Sequence, residues 1–428
     1  MPRQIHSETV LEPSRQGVAT LKGRKSATSH VCESGNGDAG SCRHQEALGQ
    51  DAQPNMDKKM AIPGHFELRE DVDEQQILQE VSRSFALTIP QLPPDLRKTV
   101  TNAYLLCRII DTIEDEETLS HAEKGAFLQE FNRVLKRKST AERFAESLYP
   151  RLSGRTLPAE KALILSCPGV IRSYFSFDEE KQRAIDRCAA IMSSGMLRFQ
   201  ENRNPCGLKD LTELNAYCYH VAGVVGEMLT DLFCNHSPII ARRRERLYPL
   251  AASFGQGLQM TNILKDLWED KARGACWLPR DVFSEVGFDL QDLSAGNCLP
   301  EFRKGLLRFV GISVFHLHNA LAYTLLIPRK EAGIRKFCLW AIGLAVFTLR
   351  NIHRRPGYTS GGEVKVSRAC TRGIIGVSNA GLQSNLLLKA FFCMTTRGLP
   401  TPGPGFNEVR PSAHEKRPLE NWEDRGPG

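Results

Sequence analysis

The stretch NAYLLCRIIDTIED, from Asn102 to Asp115, sets apolar residues three and four apart with no β-alternation, the spacing of a helix with one buried face. Asp111 and Asp115 are four apart and share one side, with Arg108 and Tyr104 on the same stripe one and two turns earlier. Farther along, NILKDLWED from Asn262 to Asp270 repeats the design. Asn262, Asp266 and Asp270 follow one another at four-residue steps, with Gln259 and Lys265 beside them. A solvated acidic face would explain one such row. Two rows embedded in apolar helices favour a cation, because like charges four apart repel unless something relieves them. Mg²⁺ suits such oxygens, since it binds through a few carboxylates and is completed by water and substrate phosphate. Facing each other across a helical bundle, the two rows would grip a diphosphate, and the apolar interior would hold a prenyl chain away from water. Spacing alone therefore describes an enzyme that ionises prenyl diphosphates.

Outward from these rows, apolar three-and-four spacing fills roughly 66–394, interrupted by Gly and Pro, and predicts an all-α domain. Helices are expected at 74–85, 94–113, 121–138, 180–201, 210–233, 240–268, 301–326 and 331–350. Residues 1–65 are rich in Ser, Gly and Gln without apolar period, and 395–428 carry repeated prolines; both read as disordered tails. The chain has 428 residues, of which 41% are hydrophobic and 25% charged, which argues against wholesale disorder.

The formal charge is +7, and its excess is local: 331–394 holds nine Lys/Arg against two Asp/Glu. A phosphate-bearing cofactor or a membrane surface fits that segment. Nucleic acid does not, because the basic residues are not interleaved with aromatics and no binding motif is present. Thirteen scattered cysteines without a C-x-x-C pair indicate a reducing compartment, hence the cytoplasm. The longest uncharged apolar run, Phe337 to Leu349, is shorter than the roughly 20 residues needed to span a bilayer and reads as a buried or interfacial helix.

Three further segments carry chemistry. In VSRSF, Ser82 and Arg83 suit a diphosphate, with helix capping by Ser82 or Ser84 as the equal alternative. In YCYHVAGVVG, Gly223 and Gly226 each cost a helix about 1 kcal/mol relative to Ala, which implies close helix packing or room for a ligand. Tyr217 there is a candidate acid or base, and His220 reads as a core histidine. In EVKVSR, Lys365, Ser367 and Arg368 could meet a phosphate or form a solvated basic loop.

Taken in order and spacing, VSRSFALTIPQLP, AYLLCRIIDTIED, YCYHVAGVVG and TNILKDLWED followed by WLP resemble the squalene/phytoene synthase family over about 74–394. DTIED, YCYHVAG, YTLLIP and VKVSR are more similar to its squalene-forming branch. The resemblance implies an isoprenoid-synthase helical bundle with a central cavity, two molecules of farnesyl diphosphate as substrate, Mg²⁺, and NADPH for a reductive second half-reaction. It implies Asp111, Asp115, Asp266 and Asp270 as metal ligands with Asn262 assisting. Ser82, Arg83, Tyr104, Arg108 and Lys265 would contact diphosphate or the ionising carbon. Tyr217, Gly223, Gly226, Gly255 and Gln259 would line the pocket, and Lys365, Ser367 and Arg368 would serve NADPH. Tyr104 or Tyr217 would handle the proton. One departure is Ala275, where many relatives carry a basic residue; Lys271 and Arg273 lie nearby. Membrane contact is expected to be peripheral. Dehydrosqualene or phytoene synthesis, a terpene cyclase, and a non-catalytic helical assembly factor remain open at this point.

Overall fold

The computed structural model describes residues 67–402, apart from 202, 203 and 297. The tail readings for 1–65 and from 403 onward lie outside these residues. Among the described residues there is no β-strand; one isolated bridge joins Leu208 to Pro279. The fold is all-α, as the periodicity predicts.

The helices that position the site are α1 (Glu74–Val81), α2 (Arg83–Thr88), α3 (Pro94–Asp115), α4 (Pro158–Leu165) and α5 (Glu179–Glu201). They are followed by α6 (Leu211–Cys218), α7 (Val224–His236), α8 (Arg244–Lys265), α9 (Leu267–Ala272), α10 (Pro300–Leu326) and α11 (Ala332–Arg354). Two peripheral helices, α12 (Arg368–Gly381) and α13 (Asn385–Thr396), complete the set. At the centre, α8 packs on α7, α10 and α11 at once. On the other side α3 packs against α1, α4, α5 and α7. Its buried stripe includes Val100, Ala103, Leu106, Ile109, Ile110 and Ile113, all within 1% of full burial. Burying the Val, Leu and Ile side chains among them is worth about 1.5–3 kcal/mol each.

Three expected helices are broken or interrupted, each for a local reason. The 74–85 helix breaks at Ser82, which is extended (φ −152°, ψ 126°) and caps α2 by accepting the Phe85 N–H at 3.0 Å. The 210–233 helix contains a π-helical turn, Tyr219–Gly223, between α6 and α7. The 240–268 helix starts at Arg244 after a short separate turn and is interrupted at Asp266. Helix α13 continues past 394 to Thr396, and Leu399 packs on the core, so ordered structure extends into the expected tail.

Helices α10 and α11 are long and apolar enough to cross a membrane by composition, yet 67% and 61% of their apolar windows are buried in the bundle. The Phe337–Leu349 run lies within α11 and is a packed core helix. All eleven cysteines of the described residues are free.

Candidate active site

The second acid row keeps its alignment through the break at Asp266. The Asp266 N–H donates to Asn262 O at 2.8 Å and the Asp270 N–H to Asp266 O at 2.9 Å, so the helical ladder continues across the junction. Asn262, Asp266 and Asp270 therefore stay on one face. They line a small polar cleft of about 180 Å³ with Tyr217, Gln259, Ile263 and Trp277. Asp266 and Asp270 are nearly buried, at 5% and 4% exposure. Lys265 Nζ lies 3.1 Å from Asp266 and Arg273 donates to Asp270 at 2.7 Å. Arg273 thus supplies a cation beside the acids, although Ala275 itself is buried and apolar. Burial nonetheless dominates at Asp266 and pushes its carboxyl up to about 7, against the opposing pull of Lys265.

Tyr217 stacks face to face on Trp277 with ring centroids 4.2 Å apart, and Phe199 meets its edge at 5.4 Å. Trp277, the Trp of WLP, holds the phenol at the cleft. The Gln259 carbonyl oxygen is buried there and accepts no hydrogen bond from a described residue.

On α3, Asp111 is 1% exposed, and burial pushes its carboxyl up to about 7. One of its oxygens lies 3.8 Å from Arg108, and the other accepts no hydrogen bond from a described residue. Asp115, one turn on, is half-buried. Arg108 differs from expectation in its main partner: its guanidinium is bound by the buried carboxylate of Glu160 on α4. Glu160 was not legible as a site residue, because a lone Glu in the first turn of a short helix looks like an N-terminal acid. Tyr104 is 2% exposed, lies 3.4 Å from Val81 O, and is pushed up to about 12 chiefly by burial, so it keeps its proton at neutral pH. Its ring meets Phe85 at 5.3 Å. Ser82 is buried as a helix cap, while Arg83 in the first turn of α2 is exposed.

Next to the cleft lies an apolar cavity of about 590 Å³, lined by residues that include Phe85, Ala222, Gly226, Leu229, Phe254, Gly255, Leu258, Tyr323 and Phe337. Gly226 and Gly255 line it. Gly223 does not; it serves helix packing, with Ala252 O 3.3 Å from where a Cβ would sit. At Gly226 and Gly255 a Cβ would come within 3.0 Å of the backbone of Ala251 and Ala222, so α7 and α8 touch main chain to main chain. His220 donates from Nδ1 to Ala216 O at 2.8 Å and packs on Gly195, a core histidine.

The basic segment divides in two. Its first loop reaches the second acid row: the Gly361 N–H donates to Glu269 at 2.8 Å, and buried Tyr358 binds Leu264 O. Lys365, Ser367 and Arg368 follow directly and are exposed, with Ser367 capping α12 through the Cys370 N–H at 3.2 Å. The rest of the segment forms α11 to α13.

A family model described as squalene/phytoene synthase matches residues 78–370. The chain belongs to the squalene/phytoene synthase family. It is 30% identical over 311 residues to squalene synthase ERG9 of Candida albicans, covering 70% of this chain and 65% of that relative. With squalene synthase ERG9 of Saccharomyces cerevisiae it shares 29% over 308 residues, 69% of this chain and 64% of the relative. The chain thus matches slightly less than two thirds of the length of these curated relatives. Its fold is similar to that of TcSQS in complex with the ligand E5700, with a TM-score of 0.62, 24% identity and coverage of 75% of this chain and 89% of that one. A dehydrosqualene synthase bound to a ligand has the same fold at a TM-score of 0.52 and 21% identity, over 73% of this chain and 95% of that one.

Proposed function

We propose that this family member joins two farnesyl diphosphates head to head into presqualene diphosphate and reduces that product to squalene with NADPH. The observation that carries the reading is one face of α8. Ala251, Phe254, Gly255 and Leu258 on that face line the apolar cavity, and Gln259, Asn262 and Asp266 carry the same face onward into the acid cleft. An isoprenoid tail and its diphosphate head need such a neighbouring pair of environments.

The residues fit Mg²⁺. Asp111 offers a buried oxygen without a hydrogen-bond donor, and Asp266 is a carboxylate held in a site that disfavours its charge unless a cation is present. Among the described residues no three His, Cys, Asp or Glu side chains form a protein-only metal cage. Mg²⁺ does not require one, because it is completed by water and substrate phosphates. In this reading Asp111, Asp115, Asp266 and Asp270 hold it with Asn262 assisting, and when bound it supplies Lewis-acid neutralisation of the departing diphosphate. Arg83, Lys265 and Arg273 add positive charge to the diphosphate, and Glu160 holds Arg108 in place beside Asp111. The cavity wall excludes water from the allylic cation after the carbon–oxygen bond breaks and its electron pair leaves on the diphosphate. The 2,3 double bond of the second farnesyl group then attacks that carbon, and proton loss closes the cyclopropane. Tyr217 relays this proton toward released diphosphate, since it lines the cleft, whereas the Tyr104 hydroxyl is turned to Val81 O.

The donor set at Lys365, Ser367 and Arg368 fits a phosphate of NADPH: two exposed cations at the N-terminus of a 14-residue helix, following the loop that touches the acid row. NADPH bound there supplies the hydride that ends the second rearrangement. The free cysteines suit a reducing, cytoplasmic setting.

Incubating the protein with farnesyl diphosphate and Mg²⁺, with and without NADPH, and identifying products by mass spectrometry tests the proposal. Squalene is expected only with NADPH. Dehydrosqualene under both conditions would shift the assignment to a non-reducing branch, and no product at all would leave a helical assembly role. Lys365→Ala with Arg368→Ala should lower squalene release about tenfold or more while presqualene diphosphate accumulates. Equal loss of both steps would remove these residues from the NADPH site.

A further inference from the structure

Helix α13, NLLLKAFFCMTT, is apolar on two sides, and only one of them is used. Leu388 and Phe392, four apart, are buried against the body of the protein. The opposite stripe carries Leu386, Leu387, Ala390 and Met394, all exposed, with Leu386 at 76% and Met394 at 60%. Its neighbour α12 behaves alike: Ile374 and Ser378 face inward, whereas Val377 and Ala380 face solvent. Of the five large hydrophobics exposed among the described residues, four (Val377, Leu386, Leu387 and Met394) belong to this hairpin. A surface helix of a water-soluble domain normally turns polar residues outward, so this concentration marks a contact surface.

The charge around it selects the partner. From Val364 to Pro402 the chain holds Lys365, Arg368, Arg372, Lys389 and Arg397 and not one Asp or Glu. All five cations are exposed. We propose that the outer face of the α12–α13 hairpin lies on an anionic lipid bilayer. The exposed Leu, Val and Met side chains enter the acyl boundary, and Arg372, Lys389 and Arg397 reach the headgroups along their aliphatic stems. A second copy docked through the same face would set five cations against five, which anionic lipid instead neutralises. The hairpin is seated on α11, where Gly343 allows Ile374 to approach the backbone. The same α11 lends Phe337, Cys338 and Ala341 to the apolar cavity, so one helix separates that cavity from the proposed lipid face.

Flotation of the 428-residue protein with vesicles of phosphatidylcholine alone, and of phosphatidylcholine with phosphatidylserine, tests this. Binding is expected to the phosphatidylserine vesicles, weakening as salt rises. Arg372→Ala and Lys389→Ala should each cost roughly fivefold in partitioning. The triple change Leu386→Ser, Leu387→Ser and Met394→Ser should cost about a hundredfold or more, with the melting temperature and circular dichroism unchanged. Equal binding to both vesicle types, or variants that bind as the parent does, would overturn the proposal by moving the contact elsewhere in the chain. Self-association in solution that the triple change abolishes would overturn it in favour of a second copy.

Discussion

Asp266→Asn should cut product formation from farnesyl diphosphate by about 10²–10³-fold and at the same time raise the melting temperature of the metal-free protein above pH 7. The two effects have one cause. Burial of Asp266 lifts its carboxyl from 3.8 to about 7, so between those values the folded protein holds a proton that the unfolded chain has lost. Stability associated with this group is therefore complete below about pH 4 and declines as pH rises through about 7. Above that range the full penalty of a buried carboxylate remains, of the order of 2–4 kcal/mol. Asn keeps the shape without the charge and escapes the penalty, but offers a poorer ligand for a cation. Thermal melts in chelator across pH 5 to 8, beside product assays with Mg²⁺, check both halves. An Asn variant less stable than its parent at pH 8 would recast Asp266 as a structural partner of Lys265, and full activity would remove it from the metal site.

Gly255→Val should lower stability by about 3 kcal/mol or more and abolish turnover in whatever protein folds. A Cβ at 255 would enter the van der Waals envelope of the Ala222 carbonyl, which is backbone and cannot swing aside. Relief requires separating α8 from the π-helical turn, which shifts the cavity wall and the Gln259 to Asp266 face together. Val is only a slightly better helix former than Gly and returns less than about 0.5 kcal/mol, so the clash wins. Gly154→Ala is the control, because nothing lies within 4 Å of the added atom and its melting temperature should match the parent. Scanning calorimetry of the three proteins decides the matter; a stable Gly255→Val protein would mean the two helices separate easily.

Much of the site was legible because its spacing is helical. Asn262, Asp266 and Asp270 line one cleft because four-residue steps return to one face, and even the break at Asp266 preserves two successive i to i+4 bonds. The glycines of YCYHVAGVVG announced a close contact, and of the two Gly226 lines the cavity while Gly223 packs against α8. Less was legible where the deciding partner is remote. The family resemblance implies Arg108 as a diphosphate contact, and its own stripe offers only Tyr104, Asp111 and Asp115; its principal partner, Glu160, lies 52 residues away on α4. Ser82 offered capping and anion binding equally, and the local turn shows the cap, with the Phe85 N–H donating to its hydroxyl. The +7 excess of 331–394 appeared to be one feature, but Gly361 carries its loop to Glu269, 92 residues earlier in the chain, while its last two helices face outward.

The sequence by itself determined the all-α class, the aligned acid rows and the glycine contacts, because helix hydrogen bonds and side-chain stripes are set within four residues. Only the tertiary structure decided which acid is buried enough to resist ionisation, that Trp277 braces Tyr217, and that α11 backs the cavity on one side and the apolar hairpin on the other. Those outcomes depend on burial and on contacts between distant segments, where desolvation and close packing, rather than local spacing, fix what each side chain can do.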